Sequence, residues 1–357
     1  MLIEDSRVVG NWAVRHGGGL RLLIPGSATL KNVVVSGNSA TQLGGGIVQA
    51  YATAFPPGPS VVIDSSEISS NYAGNATFGG GGIAVFNDLA VTQTPATRLA
   101  LAVRNSTISG NTPRNGPAGG ISLYGNVALT LQNSTVANNT SVQQATAPPS
   151  KAGGIFRQIG VQGGTATPNL EGTVTIESSI LSGNWGTIGL EDLGQLSTET
   201  FANAIGLSNS LVGNTGTIVP SPVGSGNLAG VDPLLLPLAD YGGPTATHAL
   251  AAGSPAINAG SNPAALPFDQ RGLQRTAGGT TDMGAFESGT VIPLGCADVD
   301  GNGVVDALTD GVMAARAMLG LTGTSVTTGA VGANATRTTW AQIRAYLNAR
   351  CGSNFGP

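Results

Sequence analysis

Along most of the first 215 residues the apolar positions fall in short runs at period two, broken by Ser, Thr, Asn and Gly, and the whole pattern repeats. Around the stretch Val103 to Leu123, an apolar run (Leu99 to Val103) precedes Asn105-Ser106-Thr107-Ile108 and Ser109-Gly110-Asn111. After a variable loop, Gly119-Gly120 leads into Ile121. The same order returns as VVVSGN ending at Asn38, before Gly44-Gly45-Gly46-Ile47, and as SSEISSN ending at Asn71, before Gly79 to Gly82 and Ile83. It returns again as NSTVANN ending at Asn139, before Gly153-Gly154-Ile155. Fainter copies end at Asn184 and Asn214, and the chain opens inside one, with Asp5 to Asn11 and then Gly17 to Gly19. Seven asparagines thus hold one repeated position (Asn11, Asn38, Asn71, Asn111, Asn139, Asn184 and Asn214), with gaps of 27, 33, 40, 28, 45 and 30 residues.

A fixed unit with tolerated insertions cannot bury its own apolar face and must stack on its neighbours. Runs such as Val33 to Val35 and Val174 to Ile176 then read as short strands with Val, Ile and Leu turned inward. The pattern predicts an all-β fold, a right-handed parallel β-helix, whose seven coils at about 4.8 Å each stand on the order of 35 Å tall. The repeated asparagine is expected to form a structural ladder: it tolerates the left-handed backbone of a sharp corner and bonds its counterpart one coil away. The Gly pairs are expected at a second corner. GGGI at Gly44 to Ile47 lacks the Lys-Ser/Thr and helix start of a phosphate loop and recurs in each coil, so it too reads as structure.

Composition narrows the class. Of 357 residues 55 are Gly and only 10% are charged, a balance typical of secreted β-solenoids. A net charge of -4 with scattered Lys and Arg offers nucleic acid no basic footprint. No apolar run reaches the roughly 18 to 20 residues of a membrane span. Cys296 and Cys351 bracket the last module. As a disulfide they would stabilise it by roughly 4 kcal/mol and point to an oxidising compartment; a free pair is the alternative. Because the first residues already belong to a coil, a signal segment and a capping coil are expected to precede them.

The coils occupy 1–224. Their insertions, Ala50 to Ser60, Asp88 to Arg98, Ser141 to Lys151 and Gln158 to Asn169, are expected to protrude as loops offering Tyr51, Phe55, Asp88, Arg98, Arg114 and Lys151. They hold no dense acidic cluster, so no catalytic constellation is visible. From 225 to 288 the text changes to NLAGVDPLLLPLADYGGPTATHALAAGSPAINAG, then DQRG at Asp269 to Gly272 and DMGAFE at Asp282 to Glu287. These motifs resemble the end of the bacterial choice-of-anchor Q domain family, whose β-helical repeats are similar to those of polymorphic outer-membrane proteins. The resemblance implies a β-helix and a secreted or surface location, with no general activity. Read physically, 225–288 is expected to finish the stack against its open edge. Asp240, His248, Asp269, Arg271, Asp282 and Glu287 form the densest polar set and are expected as buried ion pairs and turn-capping carboxylates.

A linker, 289–295, leads to a module at 296–357. In DVDGNGVVDALTD, oxygen ligands fall at Asp298, Asp300, Asn302, the Val304 carbonyl and Asp306, with Gly303 at the sharp turn, the spacing of an EF-hand-type calcium loop. Thr309 holds the twelfth position, so Asp310, one residue later, is expected to close the site. A helix follows, with Val312, Met313, Ala317, Met318 and Leu319 available for packing, and another from Thr339 to Ala349 with Trp340, Ile343, Tyr346 and Leu347. The module resembles dockerin or EF-hand-like repeats of secreted bacterial proteins, although no second DxDGN loop follows. Together these features predict a non-enzymatic extracellular or cell-surface structural or adhesive protein. Its expected metal is calcium, and its expected partners are a second copy of itself, a polysaccharide or a cell-surface ligand. A carbohydrate-active β-helix enzyme, lyase or hydrolase, is the alternative.

Overall fold

The computed structural model describes residues 1–23, 26–50, 60–74, 79–87, 98–142, 151–158, 172–187, 189–196, 201, 203–216, 218, 221–222, 225–289, 297–350 and 355–356. The chain divides into two compact units, Met1–Thr290 and Val291–Pro357. Cys296, Cys351, Tyr51, Phe55 and Asp88 lie outside the described residues.

The larger unit is built of long parallel sheets. Eight strands form the first sheet, in chain order Leu2–Glu4, Ala28–Lys31, Ser60–Asp64, Leu99–Arg104, Val127–Gln132, Val174–Glu177, Ile205–Ser208 and Ser221–Pro222. The second sheet runs from Arg7–Val9 through Val34–Ser36, Glu67–Ser69, Thr107–Ser109, Thr135–Ala137, Ile180–Ser182 and Leu211–Val212 to Leu228–Ala229. A third holds the two-residue strands Trp12–Ala13, Ser39–Ala40, Tyr72–Ala73 and Thr112–Pro113, and a fourth runs from Leu20–Leu22 to Leu193–Gln195. One repeat therefore adds one strand to each sheet it reaches, in register. Leu101, for example, pairs with Val61 on one side and Leu129 on the other.

Strand alternation explains the core. In Leu99–Arg104 the buried Leu99, Leu101 and Val103 alternate with half-buried Ala100, Ala102 and Arg104. Their inward side chains join Ile47, Ile83, Ile108 and Ile121 in one continuous cluster, where full burial of each large aliphatic stabilises by about 1.5 to 3 kcal/mol. At the outward end of the same strands, register aligns Glu4, Lys31, Asp64 and Arg104 so that each charge faces its opposite. The Lys31–Glu4 pair closes to 2.9 Å.

The asparagine ladder forms, and its buried rungs are paired on both sides. The Asn111 side chain and backbone N–H both donate to Asn139 Oδ1, at 2.9 and 3.0 Å, while its second amide hydrogen goes to the Ile108-equivalent carbonyl one repeat back, Ile68 O. Asn11, Asn38, Asn71 and Asn139 donate forward in the same way. Two expectations need correction. The left-handed corner falls on the residue before the asparagine, at Gly10, Gly37, Ser70, Gly110, Asn138 and Gly183, because the asparagine itself must point inward. The rung after Asn184 is Asp192, not Asn214. Asp192 Oδ1 accepts the Asn184 N–H and amide at 2.9 and 2.7 Å, and Oδ2 accepts the Asn214 N–H at 2.7 Å.

A second ladder runs beside the first. The hydroxyls of Ser66, Ser106, Ser134, Ser179 and Ser210 each accept a backbone N–H of the preceding repeat, and Asn227 Oδ1 takes the last one. The recurrent Gly pairs are explained by close approach. A Cβ on Gly119 would lie 2.5 Å from Thr140 N, and one on Gly82 would lie 3.0 Å from the Asn111 amide. A left-handed corner accompanies them only at Gly17 and Gly44.

Residues 233–288 do not finish the stack; they cross the outer face of the second sheet. Thr107 bonds Thr247 and Gln270, Ser109 bonds His248, Ala285 donates to Thr135, and Ala246 donates to Glu67. Ile180 and Leu211, outward on that sheet, are buried with Leu250, Ala256 and Met283. The outward Thr and Ser positions at Thr107, Ser109 and Thr135 supply the hydrogen bonds that hold this covering segment. Before it, Leu228–Ala229 pairs with Leu211–Val212 as the last strand of the sheet.

Candidate functional site

The predicted polar set splits into three places. Asp269, Arg271, Asp282 and Glu287 come together, joined by Arg275, which the sequence did not single out. Asp269 Oδ2 pairs with Arg271 at 2.6 Å and accepts the Glu287 N–H, while its Oδ1 accepts the Arg271 and Leu273 N–H groups. Glu287 accepts from Ala277 and Asp282 backbone at 3.0 and 2.9 Å; Asp282 accepts from Asn258 and Ser288. Arg275 is fully buried and donates to the carbonyls of Asp282, Gly284 and Ala285. Burial pushes the Glu287 carboxyl up to about 7, against its two N–H donors. These carboxylates and guanidiniums tie turns together, as expected, and they face backbone rather than a groove.

Asp240 and His248 stand apart from that set. Asp240 caps its own turn through the Gly242 N–H. His248 lies between Leu236 O, 2.7 Å from Nδ1, and Ser109 Oγ, 2.9 Å from Nε2, and burial lowers its pKa. Of the loop residues, Arg98 is held by Asn126, Lys151 is buried toward the Asn115 carbonyl, and Arg114 is exposed.

In the smaller unit the loop from Asp298 to Asp310 is wound by its own carboxylates. Asp298 Oδ1 accepts the N–H of Gly301 and Asn302, at 2.6 and 3.1 Å, and Oδ2 accepts that of Gly303. Gly301 and Gly303 both take positive φ, +75° and +84°, which lets the chain close this tightly. Asp300 accepts from Asn302 and from Gly332 across the module, and Asp310 reaches back to the N–H groups of Asp300 and Asp306. Oxygens of Asp298, Asp300 and Asp310 lie within 4.8 Å of one another, with Asp300 and Asp310 buried.

Such convergence of three carboxylates is opposed by their mutual repulsion unless a cation offsets it. The donor set is all oxygen and fits calcium better than a softer ion. Asn302 Oδ1 turns to the Val304 N–H, and Asp306 stays outside the trio, its Oδ1 capping Leu308 at the start of the turn Ala307–Gly311. The stretch Ala330 to Arg337, which lacks a second loop, supports the first one. Gly332 donates to Asp300, Thr336 to Gly301 O, and Arg337 to the carbonyls of Asp298, Val299 and Asp300. Helix α1 (Val312–Met318) buries Met313 and Ala317 in one core with Ile343 and Leu347 of helix α2 (Trp340–Arg350). Met318 and Leu319, expected to pack, are 76% and 81% exposed, because α1 ends there and its buried face is the one carrying Met313 and Ala317.

No family model matches the chain, and neither a curated protein nor a solved structure matches it. Among the described residues, no helix is long and apolar enough to cross a membrane.

Proposed function

We propose that the chain is a secreted or cell-surface structural and adhesive protein. In this reading its larger unit is a right-handed parallel β-helix of the choice-of-anchor Q kind, and its smaller unit is a dockerin-like, calcium-stabilised module. The observation that carries this reading is how the polar groups are used. The ladder asparagines, the buried serines and the Asp269–Glu287 set are turned onto backbone groups of neighbouring coils and turns, which makes a rigid scaffold. The right hand is the sense that parallel strands returning to the same sheet favour.

In the smaller unit Asp298, Asp300, Asn302, the Val304 carbonyl and Asp310 hold calcium, and Asp306 caps the turn beside it. The ion offsets the carboxylate repulsion and fixes the loop on which α1 is founded. Titration calorimetry of calcium into EDTA-stripped protein tests this. The expected result is one site per chain, lost in Asp300→Ala; a site that survives Asp300→Ala contradicts it and moves a calcium-dependent polysaccharide enzyme to the front.

A further inference from the structure

The residue after each ladder asparagine points away from the core, since strand neighbours alternate. In successive coils these residues are Trp12, Ser39, Tyr72, Thr112, Thr140 and Trp185. The backbone keeps them in one column: from Ser39 onward each N–H donates to the ladder carbonyl one repeat back, as in Tyr72 to Asn38, Thr112 to Asn71 and Trp185 to Asn139, and Trp12 pairs with Ser39. Trp12, Tyr72 and Trp185 are 65%, 42% and 54% exposed, so three aromatic rings stand on one face over a row of small hydroxyl residues. At about 4.8 Å per coil the rings are two and then three steps apart, roughly 10 and 14 Å.

A pyranose residue in an extended chain advances by close to one coil step, so sugars running along this column meet a ring at intervals. Rings on a flat polar surface suit the apolar faces of sugars, whose hydroxyls then reach Ser and Thr. Between Trp12 and Tyr72 lies a groove also lined by Ser39, Thr41, Arg114 and Asn115. Arg114 is the charged side chain among its lining residues and is exposed, so the groove complements a carboxylate.

We propose that this face binds an extended acidic polysaccharide, with sugar rings stacked on Trp12, Tyr72 and Trp185 and a uronate carboxylate paired with Arg114. The inference rests on the adhesive reading and names its ligand class. Two of the chain's three tryptophans lie in the column and the third, Trp340, is only 8% exposed, so tryptophan emission reports occupancy directly.

The test titrates the full chain with polygalacturonate, and separately with a neutral β-glucan, following emission and retardation in affinity gels. The expected result is binding of polygalacturonate that falls at least about 30-fold when Trp12, Tyr72 and Trp185 are all changed to Ala, each ring contributing a factor of about 3 to 10. Arg114→Ala lowers that affinity by about 10-fold. Because these side chains are exposed, melting curves of the variants should match the parent, which separates lost binding from lost fold. Binding unaffected by the triple variant, binding of the neutral glucan alone, or an aromatic-dependent dimer without glycan binding each overturns the proposal. Absence of any glycan binding overturns it as well, and leaves the calcium and scaffold reading to its own calorimetric test.

Discussion

The two units use short polar side chains to organise backbone in opposite ways. In the larger unit the ladder asparagine is both donor and acceptor, so Asn111 gives two hydrogens and receives two from Asn71 and remains neutral. In the smaller unit the aspartates only accept, so winding the loop gathers negative charge at Asp298, Asp300 and Asp310. An amide ladder completes itself and extends repeat by repeat, whereas gathered carboxylates repel one another, a repulsion that the proposed calcium would offset. On the proposed calcium reading, stability is set by the chain itself in the larger unit and also by the ion in the smaller one.

The largest expected effect comes from breaking the self-complete side. Asn111→Ala strips the buried Asn71 of the partner for its N–H and for one of its two amide hydrogens, and removes a second donor from the Ile68 carbonyl, a loss of about 3 to 5 kcal/mol in urea unfolding of the larger unit. Gly119→Ala is comparable, because its Cβ would fall 2.5 Å from Thr140 N and no side chain can give way. On the conditional side, calcium at about 100 times its dissociation constant stabilises the smaller unit by about 2.7 kcal/mol, and Asp300→Ala removes that gain. A urea midpoint for the smaller unit that ignores calcium would erase the contrast.

Acid–base behaviour sharpens it further. The folded Glu287 carboxyl, at about 7, stands above its ordinary 4.5, so the folded state holds the extra proton. The stabilisation from that proton is full below about pH 4.5 and is lost as pH rises through about 7, a decline on the order of 3 kcal/mol that Glu287→Gln should flatten. His248 acts in the other direction. Burial favours its neutral form, so its contribution is present above its ordinary pKa of 6.5 and fades as the pH falls. Stability measured across pH 4 to 8 in the parent, Glu287→Gln and His248→Gln separates the two slopes. The smallest effect belongs to the exposed Lys31–Glu4 pair, where Lys31→Ala should leave the melting temperature unchanged within error.

The periodic asparagine was legible because the same residue type returns at the same place in each coil, and the parallel sheets followed from it. The serine ladder was equally legible, five residues before Asn71, Asn111, Asn139 and Asn184, but it was masked by the abundance of Ser in every coil. Asp192 was not, since the chain returns to the ladder after only eight residues, off the period. Nor was the placement of 233–288, which rests on contacts such as Thr107 with Gln270, 163 residues apart. Local spacing cannot encode a face chosen by distant partners. In the smaller unit the ligand spacing brought Asp298, Asp300 and Asp310 forward, whereas the supporting role of Gly332 and Arg337 depends on a close approach that only folding reveals.

On the proposed calcium reading, the larger unit completes its own polar network and only the smaller one depends on a cation. Differential scanning calorimetry of the full chain in EDTA and in calcium tests it most directly. Two transitions are expected, of which only that of the smaller unit rises with calcium, while the larger unit melts at the same temperature in both buffers. A calcium-dependent shift in the larger transition, or none in the smaller, would contradict it.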